Sequence, residues 1–418
     1  MKLSSKRKID YYIGNLCLFV ISPFVRLIGL LLKKSHKVLP IDSILIIKFQ
    51  GIGSLAISIP AIIQLRSSYP NSKIIFWGTP STCMLAQQIK LFDMILEIDD
   101  RSLFRATLSI FKNFKYIYKI KPDWVMDLEV YSKLSVFLCT LTLGRNRAGF
   151  AIDTVRLRQM NHTHLVFFNR HQYLGIAYER LFGLLNIEFK SIRESLKKSL
   201  IKQNNRDFIA EFFNRKKYIV INPNAGELAL ERRWPIEFFQ KLIQKITIYE
   251  SNLKIVLIGS GASEKEYCRK LESHANVFNF VNCLSLTQTI NVMDQASLII
   301  SNDSAPLHFG LIFTSVPVIG LFGPTYPKTY VPPGRPKTHI HFSQIYCSPC
   351  LHYWDPLPCK GWNQCMESIS VDQVFKSCAD LIEGKNNSEL KFIKSQQWQG
   401  RNDYYPGLVY TRRQSIFQ

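Results

Sequence analysis

The stretch LIISNDSAPLHFGLIFTSVPVIGLFGPTYP, residues 298–327, constrains the fold more than any other part of the chain. Leu298, Ile299 and Ile300 read as a buried strand, and Ser301-Asn302-Asp303-Ser304 stops it and supplies N-cap residues for a helix beginning near Ala305 or Pro306. A second apolar run, Val316 to Phe322, ends in Gly323-Pro324-Thr325. Strand, helix and strand in this order place both loops at one edge of a parallel α/β sheet, the carboxyl edge where ligands collect. Unpaired N–H groups and the positive dipole end at a helix start favour a bound phosphate, and Ser304 and His308 add side-chain donors there.

The same unit recurs along the chain. Ser43 to Lys48 (SILIIK) reads as a parallel strand, Gly51-Ile52-Gly53-Ser54 as a turn that lets a ligand approach the backbone, and Leu55 to Leu65 as a helix. The turn lacks the third glycine of a dinucleotide fingerprint and the Lys of a P-loop, so neither cofactor follows from it. Lys73 to Trp77, Met94 to Ile98 and Trp124 to Leu128 read as further strands. A charged helical segment, Ser191 to Lys217, leads to a second series: strand Tyr218 to Ile221, polar loop Asn222 to Arg233, and a helix opened by Trp234-Pro235. Strand Leu253 to Ile258 and Gly259-Ser260-Gly261 follow. The expected fold is α/β: two doubly wound Rossmann-like domains facing a cleft, residues 40–200 and 201–384, with a hydrophobic segment over 1–39 and a polar tail over 385–418.

The 418 residues carry a net charge of +22, which points to nucleic acid or to the anionic face of a membrane. No helix-turn-helix, RNA-recognition or zinc-finger pattern is present, so the membrane is favoured and a nucleic-acid partner is not expected. Tyr11 to Leu32 is almost entirely apolar but contains Pro23 and Arg26, and no small-residue cleavage site follows it. Such a segment spans the bilayer, lies at its interface, or packs as an ordinary buried N-terminal helix.

Three motifs of the second half, NPNAGELALERRWP from Asn222, SNDSAPLHFG from Ser301 and LFGPTYP from Leu321, together with ILIIKFQGIGSLAISIPAI from Ile44 and DWVMDLE near Asp123, carry a family resemblance. The chain resembles glycosyltransferase family nine, the lipopolysaccharide heptosyltransferase family with the two-domain GT-B fold. The resemblance implies an inverting transferase that needs no metal for catalysis, takes a sugar from a nucleotide-diphosphate donor and delivers it to a lipopolysaccharide or lipid-linked acceptor. It implies work at the cytoplasmic face of the inner membrane, against an anionic surface. Carried over by motif, the donor site comprises Asn224, Arg232, Asp303, Ser304, Ala305, His308, Gly323 and Thr325, with Gly51 and Gly53 as the acceptor-side loop.

One position departs from the family pattern: Ser54 stands where the resemblance implies an Asp acting as general base. Serine takes no proton at neutral pH without a base beside it. Asp127 and Glu129, at the end of a predicted strand, are the expected substitutes, followed by Asp99 and Asp100. Separately, Cys347, Cys350, Cys359 and Cys365 form C-x2-C-x8-C-x5-C, a spacing that suits a structural zinc; packed reduced thiols beside Trp354 and Trp362 are the alternative.

Overall fold

Apolar runs short enough for strands alternate with helical segments, and the chain winds them into two parallel sheets. The computed structural model describes residues 3–32, 35–36, 40–152, 157–189, 213, 217–226, 229–273, 276–351, 357, 359, 363–385 and 388–395. The expected linker helix lies outside these residues except at Phe213 and Lys217, as do Trp354, Trp362 and the chain beyond 395.

The first half runs α1 (Leu3–Leu32), β1 (Ser43–Lys48), α2 (Ile52–Ser68), β2 (Lys73–Gly78), α3 (Pro80–Ile89), β3 (Met94–Glu97), α4 (Leu103–Ile120), β4 (Trp124–Asp127), α5 (Lys133–Leu141), β5 (Asn146–Ala151), α6 (Arg158–Asn161), β6 (His164–Phe167) and α7 (Leu174–Gly183). Its sheet has the order β3-β2-β1-β4-β5-β6, with every described pairing parallel. The order reverses between β1 and β4, which opens a crevice outside their carboxyl ends.

The second half runs β7 (Tyr218–Asn222), α8 (Ile236–Tyr249), β8 (Lys254–Leu257), α9 (Ala262–Arg269), β9 (Val277–Asn279), α10 (Leu286–Asp294), β10 (Leu298–Asn302), α11 (Ala305–Phe313), β11 (Val318–Phe322), α12 (Pro327–Tyr330), β12 (Thr338–Phe342), α13 (Gln364–Glu367), α14 (Val371–Ile382) and β13 (Leu390–Lys394). Its sheet, β13-β12-β11-β10-β7-β8-β9, reverses between β7 and β10. Both sheets bury the continuous apolar strands the sequence predicts: β1, β7, β10 and β11 are buried at every residue.

Five strands lack such runs and escape the sequence pattern. β12 alternates Thr338, Ile340 and Phe342 with His339 and His341, and all five are buried. β13 lies where a polar tail was expected: Leu390 and Phe392 pack against the core, and the strand pairs in parallel with β12. Its alternation, LKFIK, is too short to stand out in a polar context. β5, β6 and β9 are likewise short and mixed, and their partners define them.

α1 is a fitted part of the first domain. The Asp10 carboxylate caps α5, accepting from Ser132 Oγ at 2.6 Å and from the Lys133 and Leu134 amides at 3.0 and 2.9 Å. Farther along, Asn161 Nδ2 donates to Ser22 Oγ at 2.8 Å, and Leu18 is buried in the core.

Candidate active site

At the β7/β10 reversal the loops are tied together by side-chain amides. Asn222, the last residue of β7, donates through Nδ2 to Ser304 Oγ at 2.7 Å and Ser301 Oγ at 3.0 Å. Asn302, the last of β10, accepts from the Trp234 amide at 3.1 Å and donates to Pro223 O at 2.9 Å. Ser304 is the N-cap of α11, in extended conformation, with Pro306 in the first turn. The helix start so fixed lies against the glycine turn of the first domain, where Ala305 and His308 meet Gly53.

Asp303, one of the predicted donor-site residues, is the hub of a buried ionic cluster. Its carboxylate accepts from Thr325 Oγ1 at 2.6 Å and stands 3.8 Å from Arg232 Nη1 and 3.5 Å from His308 Nε2. Burial alone raises the carboxyl pKa, but the His308 contact, the Arg232 charge and the Thr325 hydroxyl outweigh it, so Asp303 is held below the usual carboxylate range. The Arg232 guanidinium is buried and donates to the carbonyls of Asp303 and Ala225, each at 2.5 Å. Among the described residues its Nε and the His308 Nδ1 have no partner. Two more of the predicted donor residues, Asn224 and Gly323, are packed inside the second domain. Asn224 is buried against Ile258 O and Cys268, and a Cβ on Gly323 would fall 2.5 Å from Met366 Sδ.

Glu264 went unnoticed in the sequence. It accepts from the Ser260 amide at 2.8 Å and the Gly226 amide at 3.2 Å, joining the loops after β8 and β7. Its signal was an acid in the first turn of a helix after Gly259-Ser260-Gly261, and it occupies amides that an anion would otherwise use.

The first domain meets this cluster through its glycine turn. Gly51 caps α2 at φ 79°, a left-handed conformation suited to glycine. Gly53 lies against α11: an added Cβ would sit 2.5 Å from His308 Cδ2 and 3.4 Å from Ala305 Cα. Two helix starts thus abut, and only a residue without a side chain fits between them. Ser54 donates to Gly51 O at 2.8 Å. Thr287 to Gln88 and Thr329 to Arg170 O bridge the domains elsewhere.

Asp127 and Glu129 are directed inward. Asp127 is fully buried, accepting from Ser135 Oγ at 3.0 Å and the Glu129 amide at 3.0 Å, with Arg158 Nη2 at 3.8 Å and His162 Nε2 at 3.4 Å. Burial raises its pKa, yet His162 and Arg158 together hold it below the usual range; burial in turn lowers His162 despite Asp127. Glu129 accepts from the Phe49 and Gln50 amides at 2.7 Å each and from Lys48 Nζ at 3.1 Å. Burial disfavours the Lys48 charge, but Glu129 outweighs it and raises Lys48. Asp99 is chelated by Arg101, whose hydrogen bonds lower it to about 2.

The cysteine spacing assembles no metal site: among the described residues no three His, Cys, Asp or Glu side chains are grouped to hold an ion. Cys365 instead starts α13 inside the second core, and Cys350 is buried where its amide bonds Pro324 O. Burial, then the neighbouring thiols, pushes Cys350 up to about 12, the state of a protonated thiol.

The comparisons with known proteins agree with this architecture. Lipooligosaccharide heptosyltransferase 2 of Campylobacter jejuni serotype O:2 is 20% identical over 341 residues, covering 80% of this chain and 97% of its own length. A family 9 glycosyl transferase from Veillonella parvula superposes with a TM-score of 0.66 at 18% identity, covering 84% of this chain and all of the other. The E. coli heptosyltransferase WaaC with ADP-2-deoxy-2-fluoro heptose gives 0.60 at 16% identity, covering 81% and 99%. The family model for glycosyltransferase family 9 (heptosyltransferase) matches residues 133–360, more than half the chain. The chain therefore belongs to glycosyltransferase family 9, the heptosyltransferase family, and its two parallel-sheet domains are those of a glycosyltransferase.

Proposed function

We propose that this protein transfers a heptose or another hexose-type sugar from a nucleoside-diphosphate donor to a lipopolysaccharide or lipid-linked glycan acceptor, inverting the anomeric carbon. One observation carries this: the α11 start, Arg232, His308 and the Asp303–Thr325 pair converge at the β7/β10 reversal, directly across Gly53 from the other domain. The acceptor hydroxyl oxygen bonds to the anomeric carbon as the bond to the diphosphate oxygen breaks, its proton passes to solvent, and the electron pair of the broken bond leaves with the diphosphate. The helix start and Arg232 stabilise that charge, so the positive charge needed is supplied by the protein itself without a divalent ion. Asp303 positions Arg232 and His308, and Ser304 and Ala305 present the backbone. ADP-heptose is the first donor to test, since a relative is solved with its fluorinated analogue.

The acceptor-side proton raises a second reading. Ser54 replaces a carboxylate, while Asp127 and Glu129 are engaged inside the domain and frame the turn. That favours, as the alternative, a relative that binds nucleotide sugar without transferring it. A donor panel incubated with membrane extract separates the two: diphosphate release that Arg232→Ala abolishes supports transfer, and binding without release supports the inactive relative.

The setting follows from α1. Residues Ile9–Leu31 are apolar enough to cross a membrane, and little of the segment is buried. Attachment through Asp10 and again through Ser22 fixes the helix along the domain, which supports an interfacial placement on the cytoplasmic face of the inner membrane, beside a membrane-borne acceptor.

A further inference from the structure

α4 has two apolar stripes where a crossover helix needs one. Ala106, Phe114 and Ile117 face the core beneath β2 and β4. On the opposite side Phe104, Leu108 and Phe111, spaced i, i+4, i+7, are 72%, 53% and 65% exposed. The core is complete without them, so this outer stripe has no solvent-independent reason to be apolar. Lys115 continues it one turn on, Lys112 and Lys119 border it along one side, as does Arg105 while 3.9 Å from Asp99, and α4 contains no acidic residue.

α4 shares its layer with the membrane-type helix. α5 lies between the two: Tyr118 donates to Leu141 O at 2.9 Å, and the other side of α5 receives α1, where Gly14 lies against Lys133. Along α1, Leu16, Phe19, Phe24, Leu27 and Leu31 are all more than half exposed. An apolar stripe with a basic border, on a helix that itself carries no acidic residue, is the composition of a helix lying in an anionic bilayer surface.

We propose that α4 is a second, in-plane membrane contact, and that α4 and α1 together seat the first domain on an anionic lipid surface. This rests on the membrane-side placement argued above. Two anchoring helices on either side of α5 fix the tilt of the domain, which one helix alone leaves free to rotate about its axis.

The test uses the full chain and vesicles with and without phosphatidylglycerol, with neither donor nor acceptor present, so it stands or falls separately from glycosyl transfer. An environment-sensitive fluorophore on Leu108→Cys is expected to shift to the blue on anionic vesicles, as one on Leu16→Cys does. The triple variant Phe104→Ser/Leu108→Ser/Phe111→Ser is expected to sediment with vesicles at least about tenfold less strongly at unchanged thermal midpoint. Lys112→Glu/Lys119→Glu should lose the preference for anionic lipid. A fluorophore at 108 that stays water-exposed on vesicles while the one at 16 shifts overturns the proposal. So does a stripe that, without lipid, holds two copies of the chain together and whose fluorophore ignores vesicles. If neither fluorophore shifts, the membrane-side placement fails with it.

Discussion

Replacing Gly53 with alanine adds one methyl group at a point of contact between the domains. Its Cβ would lie 2.5 Å from His308 Cδ2 and 3.4 Å from both His308 Cγ and Ala305 Cα. Carbon atoms settle at about 3.5–4.0 Å, so the ring or α2 must move by about 1 Å. The ring is not free to swing: it is buried, 3.5 Å from Asp303 and tilted against the Tyr330 ring, with 5.9 Å between ring centres. Two effects oppose each other. Alanine is favoured over glycine in a helix by about 0.5–1 kcal/mol, whereas overpacking costs about 1–3 kcal/mol. Overpacking prevails, giving a net loss of about 1 kcal/mol in urea unfolding, and a displacement of about 1 Å at the site is expected to lower kcat/KM for diphosphate release by about 100-fold. In a His308→Ala background the obstacle is gone, and the same change should stabilise by a few tenths of a kcal/mol, so the sign reverses. If Gly53→Ala alone is as stable as the parent and within about threefold in kcat/KM, the two helix starts do not abut in solution and the geometry argued above is wrong.

Arg232→Met keeps the volume but removes the charge; kcat/KM should fall about 10²–10³-fold, and Arg232→Lys should recover little of it because the fork to Asp303 O and Ala225 O is lost. Ser54→Asp places a carboxylate at the acceptor-side turn and should raise turnover by about tenfold or more in a donor-release assay, with no gain if proton removal is not limiting. Asp127→Asn leaves the fully buried Arg158 without its counter-charge and should destabilise by about 3 kcal/mol in urea titration. Because folding depresses the Asp127 pKa, its contribution is fully present above about pH 4, the ordinary carboxylate value, and is lost as pH falls through the lower folded value. The variant should therefore show a flatter acid limb than the parent, and an unchanged limb would exclude Asp127 as a source of acid sensitivity.

Local chemistry made much of this protein legible in its sequence. Short continuous apolar runs bounded by turn residues suit strands buried on both faces, so β1, β7, β10 and β11 and the helix starts after them followed from one-dimensional pattern. The Ser301–Ser304 loop announced a helix start because capping preferences are properties of a few consecutive residues. Contacts between distant segments were decided only in three dimensions. Nothing local distinguishes Asp127 and Glu129, at the end of a strand, from free catalytic carboxylates. Arg158, His162, Ser135 and Lys48, brought from both sides of them, enclose them. Cysteine spacing matched a metal site, and the fold does bring these thiols near one another, yet among the described residues they form no group able to hold an ion, and Cys365 is packed into the second core. The need for glycine at position 53 likewise belongs to the other domain, 255 residues along the chain at His308. Periodicity reports which face of an element is buried, and only tertiary packing determines what it is buried against.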